Sequence, residues 1–550
     1  MTRSRRQLLL AIAAGLALAD ASIVTLALPR LLIQLHATVE GVAAVIGVYT
    51  VVLAVALLPA ERMRRQYGAR RVGGTGLVLF GSACAGCAAA GSLELLLALR
   101  ALQALGAAAA LVAAFDLLGA GAARSAGRRM WSAAAVVGFA AGPALGGVLT
   151  QVFDWRAIFA AQVPVAFAGA AAAVLPGRTA AAGAPRGAGA SASRGALAAL
   201  ALLSASLTAV LFLLVLLLVA GWNEEPLAAA LAVSVLPAAA LLTRNAAGNP
   251  RMRAATGCVL VAAGTLCLAF LPLASLWWTL LPQLLAGAGI GLAIPALAGE
   301  LLPERNPNDA ARLLTARHAG IALALLVLAP VVASNLDAAT ERAKERGVAI
   351  VLDSSLPPQD KLKLAPDLLD GVNQEQPRRG LQRAIDHNRG SYTGQVRAAY
   401  DRLGRKADDT LTGAVAESFR IAFVITAALA LLGALAVLPS PARRRSLARL
   451  AAAAAAVPVA YLLLHATLAP SPVKIADPCK ERRLPDSTGV SGVVQDAALV
   501  SLDQIACHFG SSREQLVLAL ADPAEAKRYR REHGVDPRSA GNLLQGLTGG

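Results

Sequence analysis

Five ionisable side chains stand inside long apolar runs: Asp20 in LALADASIVTLALP, Arg100 and Asp116 within and after LLLALRALQALGAAAA, and Arg317 with His318 in ARLLTARHAGIALAL. In hydrocarbon such a group is costly unless it faces a cavity or finds a partner, so each is a functional candidate. Desolvation disfavours a carboxylate, which makes Asp20 a candidate reversible proton carrier; a protonated Asp bonded to a neighbouring helix is the structural alternative. Arg100 keeps its charge and requires an acceptor or a water-filled cavity. Gln103 follows one turn later on the same helix face, and Ala104 and Gly106 permit close helix approach. An arginine facing a polar central cavity is the sharper expectation, an anchor for a loop the plainer one. This chemistry is proton binding and release, not covalent catalysis. His36, His318, His387, His465, His508 and His533 are scattered without ligand spacing, and no Gly-rich phosphate loop with its lysine occurs. No metal, cofactor, enzymatic activity or use of ATP is expected.

The elements that must position these residues are membrane helices. The chain has 550 residues, 56% of them hydrophobic and 15% charged, and a bilayer core needs about 20 apolar residues per helix. Thirteen spans are expected, at 7–29, 39–60, 72–91, 94–119, 130–152, 157–176, 196–219, 227–243, 256–273, 277–299, 313–333, 416–438 and 449–468. The net charge of +17 would suggest nucleic acid in a soluble protein. Here, however, the short-loop arginines cluster in alternate loops, above all in ERMRRQYGARR at 61–71. They read as a positive-inside signal that places the N-terminus in the cytoplasm, and no nucleic-acid partner is expected. An odd number of spans places the C-terminus outside the cytoplasmic membrane of a bacterium. The first apolar run imitates a secretory signal but continues through SIVTLALP, and is expected to remain as the first helix.

Two hydrophilic segments, 334–415 and 470–550, fall on the outer side in this topology, and their acids and bases nearly cancel. The first is expected to be a large helix-permissive loop with breaks at Pro357, Pro358 and Pro377; the second, a small helical module in which SSRE at 511–514 resembles a capping box. Cys84, Cys87, Cys258 and Cys267 lie in apolar spans and are expected to behave as small hydrophobes. Cys479 and Cys507 are the pair expected to form a disulfide in an oxidising compartment.

The residues also spell a family pattern. LADASIVTLALPRL resembles the first-helix motif D-x-x-I-V-x-x-A-L-P of the drug:proton antiporter branch of the major facilitator superfamily, with Asp20 at the acid. LRALQALGAA is similar to its fourth-helix R-x-x-Q-G-x-G motif at Arg100, Gln103 and Gly106, with Ala104 in place of a glycine. GFAAGPALGG looks like the antiporter motif G-x-x-x-G-P-x-x-G-G, carried by Gly138, Gly142, Pro143, Gly146 and Gly147. DWRAIFAAQVP is similar to the stretch that follows, with Gln162 for an asparagine, and Arg317, His318 and Gly320 fall on a second-half motif in which His318 replaces a glutamine.

The resemblance implies an all-α polytopic protein with the major facilitator fold. One six-helix bundle would span 1–176, a cytoplasmic linker 177–195 and a second bundle 196–438 that includes the loop 334–415. The span 449–468 would be an extra thirteenth helix and 470–550 a helical tail. It further implies a monomeric exporter that exchanges protons for a small amphipathic molecule by alternating access. Gly68 registers the loop 61–71 against G-x-L-a-D-R-x-G-r-k: Arg70 and Arg71 keep the basic end, while Arg65 stands where the family places an acid. A latch of that sign cannot form: either it is rebuilt with other partners, for instance Glu61, Glu304 or Asp309, or alternating access is altered or lost. The rival expectations are a transport-inactive scaffold that presents outer helical domains to envelope partners, and an exporter of lipid or cell-envelope precursors.

Overall fold

The computed structural model describes residues 3–119, 126–175, 193–302, 307–372, 377–438, 441–471, 473–482, 484, 490–539 and 541–543. Among them every regular element is a helix, as expected of backbone that must satisfy its own hydrogen bonds away from water. The helices of the first half are α1 (Arg3–Thr25), α2 (Leu28–Gln34), α3 (Val39–Tyr67), α4 (Ala69–Ala89), α5 (Leu93–Leu117), α6 (Ala126–Val152), α7 (Arg156–Ala160) and α8 (Gln162–Val174). Then follow α9 (Arg194–Val215), α10 (Pro226–Val233), α11 (Val235–Thr243), α12 (Pro250–Ala269), α13 (Leu276–Ile294), α14 (Pro307–Leu352), α15 (Pro358–Val372), α16 (Pro377–Arg389), α17 (Gly394–Val437) and α18 (Pro441–Leu468). The tail contributes α19 (Val490–His508), α20 (Arg513–Ala521) and α21 (Pro523–His533). Helix starts carry local chemistry: Thr38, Ser92 and Asn249 accept from the first free amides of α3, α5 and α12, while Pro226 and Pro250 occupy first-turn positions that need no donor.

Twelve helices among the described residues are long and apolar enough to cross a membrane. They correspond one to one with the expected spans other than 130–152, which lies in the 27-residue α6. The spans 313–333 and 416–438 prove to be parts of much longer helices. α14 has 46 residues and α17 has 44, about 65–70 Å each at 1.5 Å per residue, twice the hydrocarbon thickness. The expected linker 177–195 lies outside the described residues except for Ser193, Arg194 and Gly195, which cap and open α9.

The chain forms two compact units. The first comprises residues 1–220, 224–334 and 419–468. Within it the same packing device appears in each half. α4 lies against α5 where a Cβ on Gly106 would sit 2.5 Å from the Phe80 amide nitrogen, and α12 lies against α13 where a Cβ on Gly257 or on Gly289 would sit 2.3 Å from the other's carbonyl oxygen. Small residues replace side-chain contact with backbone contact there, the way helices associate when lipid supplies no hydrophobic drive. α18 is a peripheral helix, with most of its apolar residues exposed. It is tied to its neighbours by Tyr461 donating to the Trp278 carbonyl (3.0 Å) and by His465 against the Leu271 carbonyl (2.8 Å).

The second unit comprises residues 221–223, 335–418 and 469–550, so two hydrophilic stretches far apart in sequence fold together. Its core holds Leu356, Leu364, Leu368, Leu381, Leu403 and the stacked pair Tyr392 and Tyr400. α14 ends at Leu352, and α15 and α16 begin at Pro358 and Pro377, so new helices start at the expected breaks. Cys479 and Cys507 form a disulfide. Arg513 is fully buried and meets Asp353 (2.8 Å), Glu514 (3.2 Å) and Asp503 (3.5 Å), which joins the tail to the end of α14. The capping box sits one residue later than SSRE suggests. α20 starts at Arg513, so Ser512 and Gln515 make the reciprocal bonds while Ser511 pairs with the Tyr529 hydroxyl at 2.7 Å.

Candidate functional site

α1 carries Asp20 and α5 carries Arg100 and Gln103, and the first unit brings the three side chains together with none exposed to solvent. Asp20 Oδ2 accepts from Arg100 Nη1 at 2.6 Å. Its other oxygen, Oδ1, accepts from the side-chain amides of Gln103 and Gln162, each at 3.1 Å. Arg100 is held from three further sides: Nε donates to the Val45 carbonyl (3.0 Å), Nη1 to Gln103 Oε1 (2.6 Å), and the guanidinium lies 4.3 Å from the Tyr49 ring centre. Tyr49 in turn donates to the Ala17 carbonyl of α1 at 2.9 Å. Three helices, α1, α5 and α8, therefore meet at the carboxylate, and α3 holds its arginine partner. Both carboxylate oxygens of this buried pair are hydrogen-bonded, which offsets part of the cost of burying the two charges, while Arg100 Nη2 is buried without a hydrogen-bond partner among the described residues.

Of the two requirements the sequence left open for Arg100, an acceptor or a watery cavity, the structure supplies the acceptor, Asp20. Cys84 also departs from its expected role as a plain apolar side chain, because Gln103 Nε2 lies 3.1 Å from its sulfur. Cys87 is buried nearby without such a bond among the described residues.

Immediately after Asp20, α1 turns a different face outward. Ala21, Ser22 and Thr25 line a small hollow with Ser204, Thr208 and Arg317. Arg317 also lines a larger, mainly apolar cavity of about 170 Å³, bounded by Leu18 and Trp131 from the first half and by α9, α11, α13 and α14 from the second. His318 points elsewhere, buried against the Leu314 carbonyl at 2.8 Å. Gly320 sets the depth of α14, since a Cβ there would lie 2.0 Å from the Ala201 carbonyl oxygen.

The glycine-rich helix α6 lies between the halves. A Cβ on Gly142 would meet Ser22 Cβ at 2.6 Å and one on Gly146 the Ile23 carbonyl oxygen at 2.4 Å, both on α1; one on Gly147 would meet Ala230 Cβ of α10 at 2.2 Å. Pro143 stands inside this helix, and the surroundings of Gly138 lie outside the described residues. α6 thus touches the Asp20 helix two and three residues past the acid, and a second-half helix on the next position.

The arginine-rich loop resolves into a helix end, a glycine and a helix start. Gly68 has φ +87°, a value that favours glycine, and it turns the chain from α3 into α4. Arg65 is exposed and reaches Glu61 only at 3.5 Å. The stronger tie is Arg64, which holds the buried Glu61 at 2.7 Å and Asp116 of α5 at 2.7 Å. Glu61 is among the acids the sequence suggested as substitutes and Asp116 shares Arg64 with it, while Glu304 lies outside the described residues; Arg70 and Arg71 occupy the first turn of α4. On the same helix, the Ala54 carbonyl accepts from Thr315 of α14 (3.4 Å), so α3 is bonded across the halves.

No group of three or more His, Cys, Asp or Glu suited to a metal ion occurs among the described residues.

The model of the Major Facilitator Superfamily matches residues 10–333. The chain belongs to this superfamily. Among curated relatives, the multidrug resistance protein Stp of Mycobacterium tuberculosis (strain CDC 1551 / Oshkosh) is 35% identical over 172 residues, 30% of this chain and 32% of that one. The tetracenomycin C resistance and export protein of Streptomyces glaucescens is 31% identical over 173 residues, covering 30% and 32%, and the lincomycin resistance protein of Streptomyces lincolnensis 35% over 149, covering 26% and 31%. The chain thus matches about a third of the length of these relatives. In fold it is similar to a bacterial homolog of the human lysosomal transporter Spinster in an inward-facing, occupied conformation, with a TM-score of 0.52 and 15% identity over 80% of this chain and 99% of that one. With twelve apolar helices among its described residues, it is a multi-pass membrane protein of this superfamily.

Sequence reasoning found Asp20, Arg100 and Gln103 because each is conspicuous in an apolar run. It passed over Arg64, whose neighbour Arg65 drew attention through the family alignment, and it marked Asp116 as a candidate without a partner. The spacing of Glu61 and Arg64, one helical turn, was the available signal.

Proposed function

We propose that this transporter exports small amphipathic molecules from the bacterial cytoplasm in exchange for protons, by alternating access of the bundles 1–176 and 196–438. The observation that carries the reading is the closed ion pair between Asp20 and Arg100, one turn of helix from the α1–α6 contact. A proton placed on Asp20 Oδ2 removes the charge that compensates Arg100. An uncompensated buried arginine is strongly unfavourable, so protonation favours arrangements in which Arg100 reaches water or another acceptor. Because Ser22 and Ile23 pack on Gly142 and Gly146, a shift of α1 presses on the helix that also touches α10. Proton binding and the bundle interface are thereby biased together, which is what coupling requires.

The substrate would occupy the cavity that both halves line. Its apolar walls and the arginines Arg317 and Arg244 suit an amphipathic molecule. At about 170 Å³ it is smaller than the roughly 300–1,000 Å³ of sites for drug-sized ligands, so loading requires the halves to part. Several relatives are named as resistance or export proteins, which supports export as the direction. The experiment is accumulation of a fluorescent amphiphile in efflux-deficient bacteria expressing the chain. Lower accumulation, restored by a protonophore, is expected; unchanged accumulation across a panel of amphiphiles would favour a scaffold without transport.

A further inference from the structure

The second unit contains its own cavity, of about 140 Å³, enclosed by α14, α15, α16, α17 and α20. Val348, Val351, Leu368, Leu381, Leu411 and Val517 form its walls. A dry apolar cavity of roughly 150 Å³ takes up a six-carbon hydrocarbon such as benzene, so this one has room for the end of an alkyl chain. Two of its lining residues are cationic. Lys344 is already paired, with Glu341 at 3.4 Å and Glu525 at 3.2 Å. Lys361 is not: only 6% exposed, it donates to the Leu352 carbonyl at 2.8 Å and among the described residues has no carboxylate within ion-pair distance. An ammonium buried beside an apolar hollow with no carboxylate in direct contact among the described residues is costly, Asp353 and Asp496 acting on it only from a distance, and an incoming anion would relieve that cost.

We propose that this cavity binds a single-chain anionic amphiphile, with its alkyl end among the leucines and valines and its carboxylate or phosphate head on Lys361. The site is independent of the cavity in the first unit and of the transport reading. Three features support the assignment. The hollow draws its walls from both hydrophilic stretches of the chain, so it exists only in the assembled unit. Burial lowers the Lys361 ammonium to about 8, while Asp353 and Asp496 lie near enough to oppose the shift and Arg513 adds to it; a bound anion would raise it again. Leu362, beside Lys361, leaves 78% of its surface exposed at the edge of the lining. The competing role for Lys361 is structural, closing the last carbonyl of α14.

The test is equilibrium dialysis of octanoate and octyl phosphate against the full chain in nanodiscs, with empty nanodiscs subtracted. Octyltrimethylammonium and octanol serve as the cationic and neutral probes. Saturable binding of the two anions is expected, with the cation excluded, and their relative affinities distinguish a carboxylate from a phosphate head. Lys361→Met should weaken octanoate about tenfold, the worth of one charge-assisted hydrogen bond, and leave octanol unchanged. Leu368→Trp, and the milder Ala365→Leu, should reduce both by filling the hollow. Equal binding of cation and anion, insensitivity to Lys361→Met, or full binding by a folded cavity-filled variant would overturn the proposal, as would the absence of saturable anion binding.

Discussion

Asp20 and Arg100 lie 80 residues apart in sequence and 2.6 Å apart in the folded chain, with neither side chain exposed. Each makes the other tolerable. Asp20→Asn keeps the shape but leaves Arg100 charged and alone, and breaking such a pair costs about 3–5 kcal/mol. Its thermal stability in detergent should fall sharply. Asp20→Asn with Arg100→Gln should recover most of that loss, because no unpaired charge remains, yet it should still lack proton-driven transport. A double variant that transports would remove Asp20 from the coupling role.

The Arg64 bridge yields a sharper contrast. Arg64→Ala strands the buried Glu61 beside Asp116, and loss of one partner of a buried pair is expensive, so export should fall severely. Arg65→Ala should leave export near the wild-type level, since exposed ion pairs are worth about 0–1 kcal/mol. Initial efflux rates of the two variants, normalised to the amount in the membrane, make the comparison; equal effects would mean the bridge is not the latch.

Packing of α6 against α1 predicts a graded response. In Gly146→Ala the new methyl would stand 2.4 Å from the Ile23 carbonyl oxygen, an overpacking worth about 1–3 kcal/mol. Transport should slow more than the amount of folded protein drops. Gly91→Ala, where nothing lies within 4 Å, is the control and should be silent in both assays.

How far these relations were legible in the sequence depended on range. An acid or arginine in an apolar run announces itself, so Asp20 and Arg100 were readable singly, and the helix pattern fixed where the spans fall. Their pairing was not, because the choice between an acceptor and a watery cavity depends on helix rotation. Gln162 stood out only as a motif substitution and Cys84 only as a small apolar thiol, so nothing marked the first as a donor to Asp20 or the second as a neighbour of Gln103. The joining of α14 to the tail through Asp353 and Arg513 spans 160 residues and leaves no local trace at all.

Lys361 gives the second unit a pH signature. Its ammonium is lowered from 10.5 to about 8, so between those values the unfolded chain holds a proton that the folded unit has released. Stability of the unit should therefore rise as pH climbs from about 8 to 10.5 and stay at its lower level below 8. Urea titrations followed by proteolysis of the full chain should show this rise, and Lys361→Met should abolish it.

The disulfide closes a separation of 28 residues, for which loop entropy gives a stabilisation of about 3–4 kcal/mol. A membrane-impermeant reductant and maleimide applied to intact cells should label Cys479 and Cys507 if the tail is extracytoplasmic, and should leave the four buried thiols untouched. Labelling only after the cells are opened would place the tail on the other side.

The central claim is that Asp20 carries the proton that drives export. It is tested most directly by reconstituting the chain in liposomes with a trapped pH dye and an imposed pH gradient, then adding a transported amphiphile. The account predicts substrate-dependent proton movement in the wild type and none in Asp20→Asn at equal protein content. Proton movement that persists in Asp20→Asn, or wild-type flux indifferent to the gradient, would contradict it.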